Sequence, residues 1–327
     1  MLRTSVPIDD LNRKACLFFS TAFREKVYKL GKLIIVCSHA RGMSIMVKDQ
    51  EFIDSHVHID FEKIESELEL YLKEANEKNI TEFTVTDHII LPNIPVYDYI
   101  IKGGKVFLKD LSSLKCSLTT ADIKRYVMTI KGKEASNIRL GAEIDYNEYC
   151  EDKIKDFLAL HPFDIVLGSL HFLDGYCISR KREMKSYSEK LPAVDIYKKY
   201  FTKMRKLAHS RIFDILSHVD LVRKHSEPVK FDDYSEEASI LINDLLENDT
   251  GIEVNTSGYA FMNDSYPSLE FLDLCKKRGL DKITIGSDAH SVARLGENLE
   301  KAVEKLKSVG YSRIVKFKKR KPEYVSL

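Results

Sequence analysis

Seven times after residue 50 the chain enters a short apolar stretch rich in β-branched residues and leaves it on polar or charged ones. The stretches are EFIDSHVH (51–58), ITEFTVTDH ending at His88, IRLGAEID around Glu143 and FDIVLGSLH ending at His171. RIFDILSHVD around His218, GIEVNTSG around Glu253 and KITIGSDAH ending at His290 complete the set. Each has the length of a strand, and several are near-continuous apolar runs, as expected of strands buried on both faces. Between them the period becomes helical. Ile64, Leu68, Tyr71, Leu72 and Ala75 follow the first stretch, Ala238, Leu241, Ile242 and Leu245 precede the sixth, and Leu299, Ala302, Val303 and Leu306 follow the seventh. Strand and helix in alternation predict a parallel α/β architecture, a barrel or an open sheet.

In parallel α/β folds the C-terminal strand ends share one face, and active sites form there. The polar groups of this chain sit at those ends: His56 and His58, Asp87 and His88, Glu143, His171, His218 and Asp220, Asp288 and His290. His56 and His58 are two residues apart in a strand, so both rings project to the same side. Five further strands add donors to that face.

Composition narrows the function classes. The 327 residues are 44% hydrophobic, enough for one large α/β domain or two smaller ones. With 51 basic against 50 acidic residues, the chain offers no overall field for nucleic acid or a membrane surface. Six scattered cysteines without a C-x-x-C pair argue against a disulfide scaffold or zinc ribbon and fit a reducing, cytoplasmic setting. No apolar run approaches the roughly 18 residues of a membrane span. Residues 1–47 read as an N-terminal extension and 48–327 as the metal-dependent domain. The basic run KFKKRK at 316–321 reads as a solvated surface strand or tail.

Imidazoles with carboxylates suit zinc, manganese or iron. Six histidines, two aspartates and a glutamate exceed what one tetrahedral ion takes, so two or three divalent transition metals are expected, bridged by a carboxylate such as Glu143. Clustered metals clamp a phosphoryl group and turn a bound water into a hydroxide nucleophile, which makes hydrolysis of a phosphate ester the natural reaction. Asp87 and Asp220 are expected to orient ligands or stabilise loops. Glu253 is either a structural carboxylate or a group facing the site, and Asn255 and Ser257 either line the pocket or shape a turn. His39, His161, His209 and His225 match no motif and read as structural or surface residues.

The ordered set HVH, TDH, GAEIDY, GSLHF, SHVDL, NTSG and GSDAHS resembles the histidinol-phosphatase branch of the PHP (polymerase and histidinol phosphatase) superfamily over about residues 50–327. The resemblance implies a distorted seven-stranded (β/α) barrel with its active site at the C-terminal strand ends. It implies hydrolysis of L-histidinol phosphate to L-histidinol and phosphate, a step of histidine biosynthesis. It also implies that His56, His58, Glu143 and Asp288 hold a first metal, that Glu143 bridges to a second held by His171 and His218, and that His88 and His290 belong to a third. Relatives often complete the third site just beyond the HxH pair, where this chain offers only Asp60 or Glu62. Relatives also often carry a basic residue soon after NTSG, where this chain reads YAFMN. Arg180, Arg182, Arg223 and Arg294 are therefore the candidate cations for substrate, with Ser257 a further candidate contact. The expected partner is a small phosphate ester, with no nucleic acid and no membrane, and the oligomeric state is left open. Two alternatives stand beside this reading: another phosphomonoester or nucleotide as substrate, and an amidohydrolase-type metal hydrolase, whose bridging lysine no strand end supplies.

Overall fold

The structure, a computed structural model, describes residues 51–60, 63–89, 122–133 and 137–327 with their side chains. It also gives the backbone of several further strand segments and of residues 120–121. The chain divides into two compact units, Met1–Gln50 and Glu51–Leu327. In the first, strands Lys26–Leu30, Leu33–Ser38 and Gly42–Val47 form an antiparallel meander.

All seven stretches read as strands from the sequence are strands of one sheet in the second unit. They are Phe52–Val57 (β1), Ile80–Val85 (β2), Ile138–Asp145 (β3), Ile165–Ser169 (β4), Ile215–Leu216 (β5), Gly251–Asn255 (β6) and Ile283–Gly286 (β7). They pair in chain order and every pair is parallel. The twist of such a sheet brings its edges together. Here Val57 meets Ala289 in a parallel bridge, the His58 amide donates to the Ala289 carbonyl at 2.8 Å, and the Asp288 amide donates to the His56 carbonyl at 2.8 Å. Asp54 is buried in the same seam. Its carboxylate accepts from the Ser287 amide (2.8 Å), the Ser287 hydroxyl (2.5 Å) and the Gly296 amide (2.9 Å). The expected (β/α) barrel is thus nearly closed.

Helices cover the outside: Ile64–Glu77 (α1), Thr120–Lys131 (α2), Glu151–Ala159 (α3), Lys181–Ser188 (α4), Ala193–His209 (α5), Ser235–Glu247 (α6), Leu269–Arg278 (α7) and Leu299–Ser308 (α8). The helical periods found in the sequence are their inward stripes. Ile64, Leu68, Tyr71 and Ala75 are buried on α1, with Leu72 half-buried at the stripe's edge. Ala238, Leu241, Ile242 and Leu245 are buried on α6, and Leu299, Ala302, Val303 and Leu306 on α8.

Each strand serves two interiors, because alternate side chains point to opposite faces. Val166, Leu216, Ile252 and Val254 pack toward the helices within the main core. Ile165, Leu167 and Ile215 form a separate cluster with Val315 and Phe317. The last two come from a C-terminal hairpin, Arg313–Lys318 (β8) paired antiparallel with Lys321–Ser326 (β9). The hairpin therefore packs on the N-terminal parts of β4 and β5. KFKKRK is thus a surface strand, as one of its two readings had it, with Lys318, Lys319 and Lys321 exposed, but it is not solvated throughout. Within that run Phe317 is buried, Lys316 reaches Glu82 (3.3 Å), and Arg320 clamps Asp214 (3.0 Å).

Removing the Phe317 ring should leave a void in this cluster. Phe317→Ala is expected to lower stability by about 3 kcal/mol, read as a lower urea midpoint at unchanged slope; an unchanged midpoint would show that the hairpin is dispensable.

Candidate metal centre

The residues singled out at the strand ends converge on one basin. His56 lies in β1 and His58 one residue beyond it; Glu143 lies in β3; His88, His171, His218, Asp288 and His290 follow β2, β4, β5 and β7. Burial falls from the floor to the rim. His56 and Glu143 are essentially sealed (0% and 1% exposed), whereas the His290 side chain is 56% exposed.

Glu143 is the hub. Its Oε2 lies 3.4 Å from His56 Nε2, 3.5 Å from His58 Nε2 and 2.9 Å from His88 Nδ1. Its Oε1 lies 3.0 Å from His218 Nε2 and 3.8 Å from His171 Nε2. One carboxylate thus offers each oxygen to a different set of imidazoles, as a bridging ligand must. The Ser169 hydroxyl donates to Oε1, and Ser217 Oγ lies 3.4 Å from it, fixing the carboxylate plane.

The first set can be tested against an ion. His56 Nε2 and His58 Nε2 are 3.0 Å apart, and Asp288 Oδ1 lies 3.8 and 3.2 Å from them. With the two distances to Glu143, five edges of a four-atom cage span 3.0–3.8 Å. A tetrahedron of zinc bonds has edges of roughly 3.3–3.4 Å. Among the described residues, Glu143 Oε2 and His218 Nδ1 are buried without a hydrogen-bond partner, a costly state for polar atoms that have no other role. Donor type, spacing and orphaned atoms all fit bound divalent cations. Donor atoms of His58, His88 and His290, and those of His88, Glu143 and His171, make two further groups close enough to share an ion.

The outer ring nitrogens are held as well. His56 Nδ1 lies 2.7 Å from Glu253 Oε1, His58 Nδ1 3.3 Å from Asp87, and His171 Nδ1 3.1 Å from Asp145. A carboxylate on the far nitrogen selects the tautomer that leaves the near nitrogen free for a metal. Glu253 faces the site, which decides between the two readings of that residue. Its second oxygen accepts from the His218 amide (3.0 Å) and from the Asn255 side-chain amide (3.0 Å). His218 has φ +27° and Asp288 φ +53°, backbone states that non-glycine residues enter at a cost, so local structure must impose them. Gly286 belongs to the same arrangement, since a Cβ there would collide with Glu253 Oε1 and the His56 side chain.

Charge balance without a metal is maintained by protons. Burial opposes charge on His58, but bonds to Asp288 and Asp87 outweigh it and push the pKa up to about 9. Burial likewise opposes charge on His171, while Asp145 pushes it up to about 9. Glu143 and Asp288 are held well below the ordinary carboxylate range despite burial, by the histidines around them. His290 is pushed down to about 4 by burial and by the neighbouring His58.

Other expectations fare differently. Asp87 orients a histidine as anticipated. Asp220 faces away, accepting from the Ser268 amide (2.8 Å) and Arg223 (3.1 Å), so it stabilises a loop. Ser257 Oγ lies 3.1 Å from Asp288 Oδ2 and 2.6 Å from Asn255 Oδ1, so it supports a candidate ligand instead of standing free for substrate. The arginines are engaged by acids: Arg180 with Glu183 (3.4 Å), Arg223 with Asp220 and Asp264 (3.1 and 2.8 Å), Arg294 with Glu297 (2.7 Å). Arg182 is exposed. Asp60 is exposed and pairs with Lys63 (3.1 Å), away from a ligand role; Glu62 and His39 lie outside the described residues. Sequence reasoning passed over Asp145, although it stands two residues past Glu143 on the same strand face, and Ser169 and Ser217, each next to or near a candidate ligand.

A nearly closed parallel barrel with a multi-donor metal basin at its strand C-termini defines the class of metal-dependent barrel hydrolases. Within that class the chain belongs to the PHP domain family, whose model matches residues 54–257. It is 26% identical to the probable histidinol-phosphatase of Deinococcus radiodurans over 254 residues, 77% of this chain and 90% of that protein. It is 21% identical to the histidinol-phosphatase of Lactococcus lactis over 281 residues, 81% of this chain and 94% of that one. The crystal structure of the Lactococcus lactis histidinol phosphate phosphatase, solved with zinc, L-histidinol and phosphate, superposes with a TM-score of 0.64 at 19% identity, covering 84% of this chain and 99% of that one.

Two outcomes follow from the geometry. Glu253→Gln keeps the shape but removes the charge behind His56, and should weaken zinc binding by roughly 10–100-fold in chelator competition with the fold intact; unchanged affinity would make Glu253 purely structural. In the metal-free protein, despite burial, neighbouring carboxylates push His58 and His171 up to about 9 and hold His56 well above the ordinary 6.5, so all three carry protons at pH 7. A metal takes only the neutral ring, so filling the centre with zinc at pH 7 should expel roughly three protons, and affinity should rise as pH climbs toward 9. Calorimetry in buffers of different ionisation enthalpy measures this, and a buffer-independent heat would contradict it.

Proposed function

We propose that this chain hydrolyses a small phosphomonoester, L-histidinol phosphate, to L-histidinol and inorganic phosphate. The observation that carries the reading is Glu143, a sealed carboxylate whose two oxygens face two separate sets of imidazoles. Such a site suits neighbouring cations that grip one phosphoryl group from two sides. The substrate is supported by the relatives, whose histidinol-phosphatase names attach to proteins that this chain matches over 90% and 94% of their lengths.

Zinc, manganese or iron ions bound here, two or three in number, supply Lewis acidity and lower the pKa of a water. The residues hold everything else in position. His56, His58, Glu143 and Asp288 form the enclosed pocket, and His171 and His218 a second position sharing Glu143. His88 and His290 provide a more open position at the rim. In the reaction the water oxygen bonds to phosphorus, the phosphorus–oxygen bond to the alcohol breaks, and the alcohol leaves with a proton. Asp87, Asp145 and Glu253 hold the rings through their far nitrogens so that no ligand must reorient as charge shifts. A basin closed at its floor and open at its rim admits a compact phosphate ester more readily than a long polymer.

Zinc-loaded protein should release phosphate from histidinol phosphate, in preference to a panel of unrelated phosphomonoesters and nucleotides. Chelation should abolish turnover, and His58→Ala should lower kcat/KM by about 100-fold or more. Equal rates across the panel would replace the substrate assignment with a general phosphomonoesterase, and wild-type activity in His58→Ala would refute the metal assignment.

A further inference from the structure

We propose that Lys224 is the cation that receives the substrate's phosphoryl group, projected from the end of β5 and seated on the ring of Phe261. The proposal rests on the reading of the basin as a phosphatase site. A phosphomonoester brings one to two negative charges into a basin already crowded with carboxylates, so cations beyond the metals are needed to receive it. The arginines nearest the strand-end motifs do not meet that need, since Arg180, Arg223 and Arg294 each lie within ion-pair distance of a glutamate or aspartate.

Lys224 differs. It closes the short helical turn Leu221–Lys224, which starts three residues after His218. It is only partly exposed, and among the described residues no carboxylate stands within ion-pair distance of its ammonium. The ammonium instead lies 4.1 Å from the centroid of the Phe261 ring, whose side His225 also meets edge-on at 5.9 Å. Phe261 belongs to the turn of helix Tyr259–Met262 that follows β6, so the ends of two consecutive strands build the seat together. A ring face holds a cation without neutralising it, which leaves all of its charge for an incoming anion.

The place of the seat in the fold, at the strand C-termini, agrees with the charges that act on it. Burial lowers the Lys224 pKa; among charged neighbours the Asp288 carboxylate acts most strongly, opposing that fall, with Cys177 and Arg294 acting less. Asp288 is one of the four donors of the enclosed pocket, and the turns that carry Lys224 and Phe261 follow the C-terminal ends of β5 and β6, the face of the barrel on which the basin lies. A desolvated ammonium with no anion is unfavourable until one arrives. Lysine suits the task as a compact charge with three donors that can follow a phosphoryl group through its change of shape.

The test uses the full-length, zinc-loaded protein with inorganic phosphate as probe, followed by calorimetry and by competitive inhibition of turnover. Lys224→Met is expected to weaken phosphate binding and raise KM by roughly tenfold or more, with zinc content and melting temperature unchanged. Lys224→Arg should restore most of the affinity, and Phe261→Leu, which unseats the ammonium while keeping it, should lose an intermediate amount. A Lys224→Met protein of normal zinc content whose phosphate affinity stays within about twofold of wild type overturns the proposal, as does failure of arginine to rescue a weakened Lys224→Met. Direct phosphate binding separates the two readings. If the wild type hydrolyses no phosphomonoester yet binds phosphate through Lys224, the seat stands and the phosphatase reading falls; if it turns over and Lys224 is irrelevant to phosphate, the reverse holds.

Discussion

A carboxylate with 1% of its side chain exposed cannot stay ionised unless positive charge surrounds it, and Glu143 is such a carboxylate. The rest of the centre follows from that constraint. Six histidines, one in β1 and the others just past the ends of β1, β2, β4, β5 and β7, converge on it or on its neighbour Asp288. Without a metal, the neighbouring carboxylates hold His56, His58 and His171 protonated despite their burial, and bound cations would take over that role. The small side chains beside it have the same origin. Ser169 and Ser217 fit where a larger residue would displace the carboxylate, and each places a hydroxyl beside the Oε1 atom.

The barrel separates this charged layer from an apolar one by the alternation of its strands. Along β4 the inward positions read Ile165, Leu167, Ser169, and along β5 Ile215, Ser217; hydrophobic at the N-terminal end, hydroxyl-bearing at the other. The C-terminal hairpin completes the apolar end with Val315 and Phe317. Closure completes the polar end, because the β1–β7 seam is where His56 and Asp288 become neighbours. The Asp288 amide bonds the His56 carbonyl directly, and Asp54 ties the two strands just below. Holding that seam shut therefore also holds the first cage at metal-binding dimensions. The unusual backbone at His218 and Asp288 is local strain borne by the elements that shape the site.

Much of this was legible in the sequence because it depends on local pattern. The seven strands, the inward stripes of α1, α6 and α8, and the placing of eight candidate ligands at strand ends all follow from period and position, which survive without knowledge of distant partners. The partners themselves were not legible. Arg223 looked available beside a strand-end motif, yet Asp264, 41 residues further on, holds it. Glu253 could face either way until its carboxylate was seen 197 residues from His56 in sequence and 2.7 Å from it in space. The basic run near the C-terminus looked solvated because its charges outnumber its apolar residues, while Phe317, with Val315 just before it, packs that segment onto β4 and β5. Lys224 had no motif to mark it; its distinction is a ring beneath it and, among the described residues, no acid within ion-pair distance.

The gradient of burial across the basin also divides labour within it. At its floor, His56, His58, Glu143 and Asp288 are fixed by the barrel itself, so the chemistry at phosphorus is common to any ester that fits. At its rim stand His290, Lys224, His225 and Phe261, carried on short turns after β5, β6 and β7. Turns change sequence without disturbing strand pairing, so this is where one fold comes to distinguish one alcohol from another. On the proposed function the floor sets the reaction class, and the rim, where Lys224 is proposed to meet the phosphoryl group on an aromatic face, is the part left to select the phosphate ester.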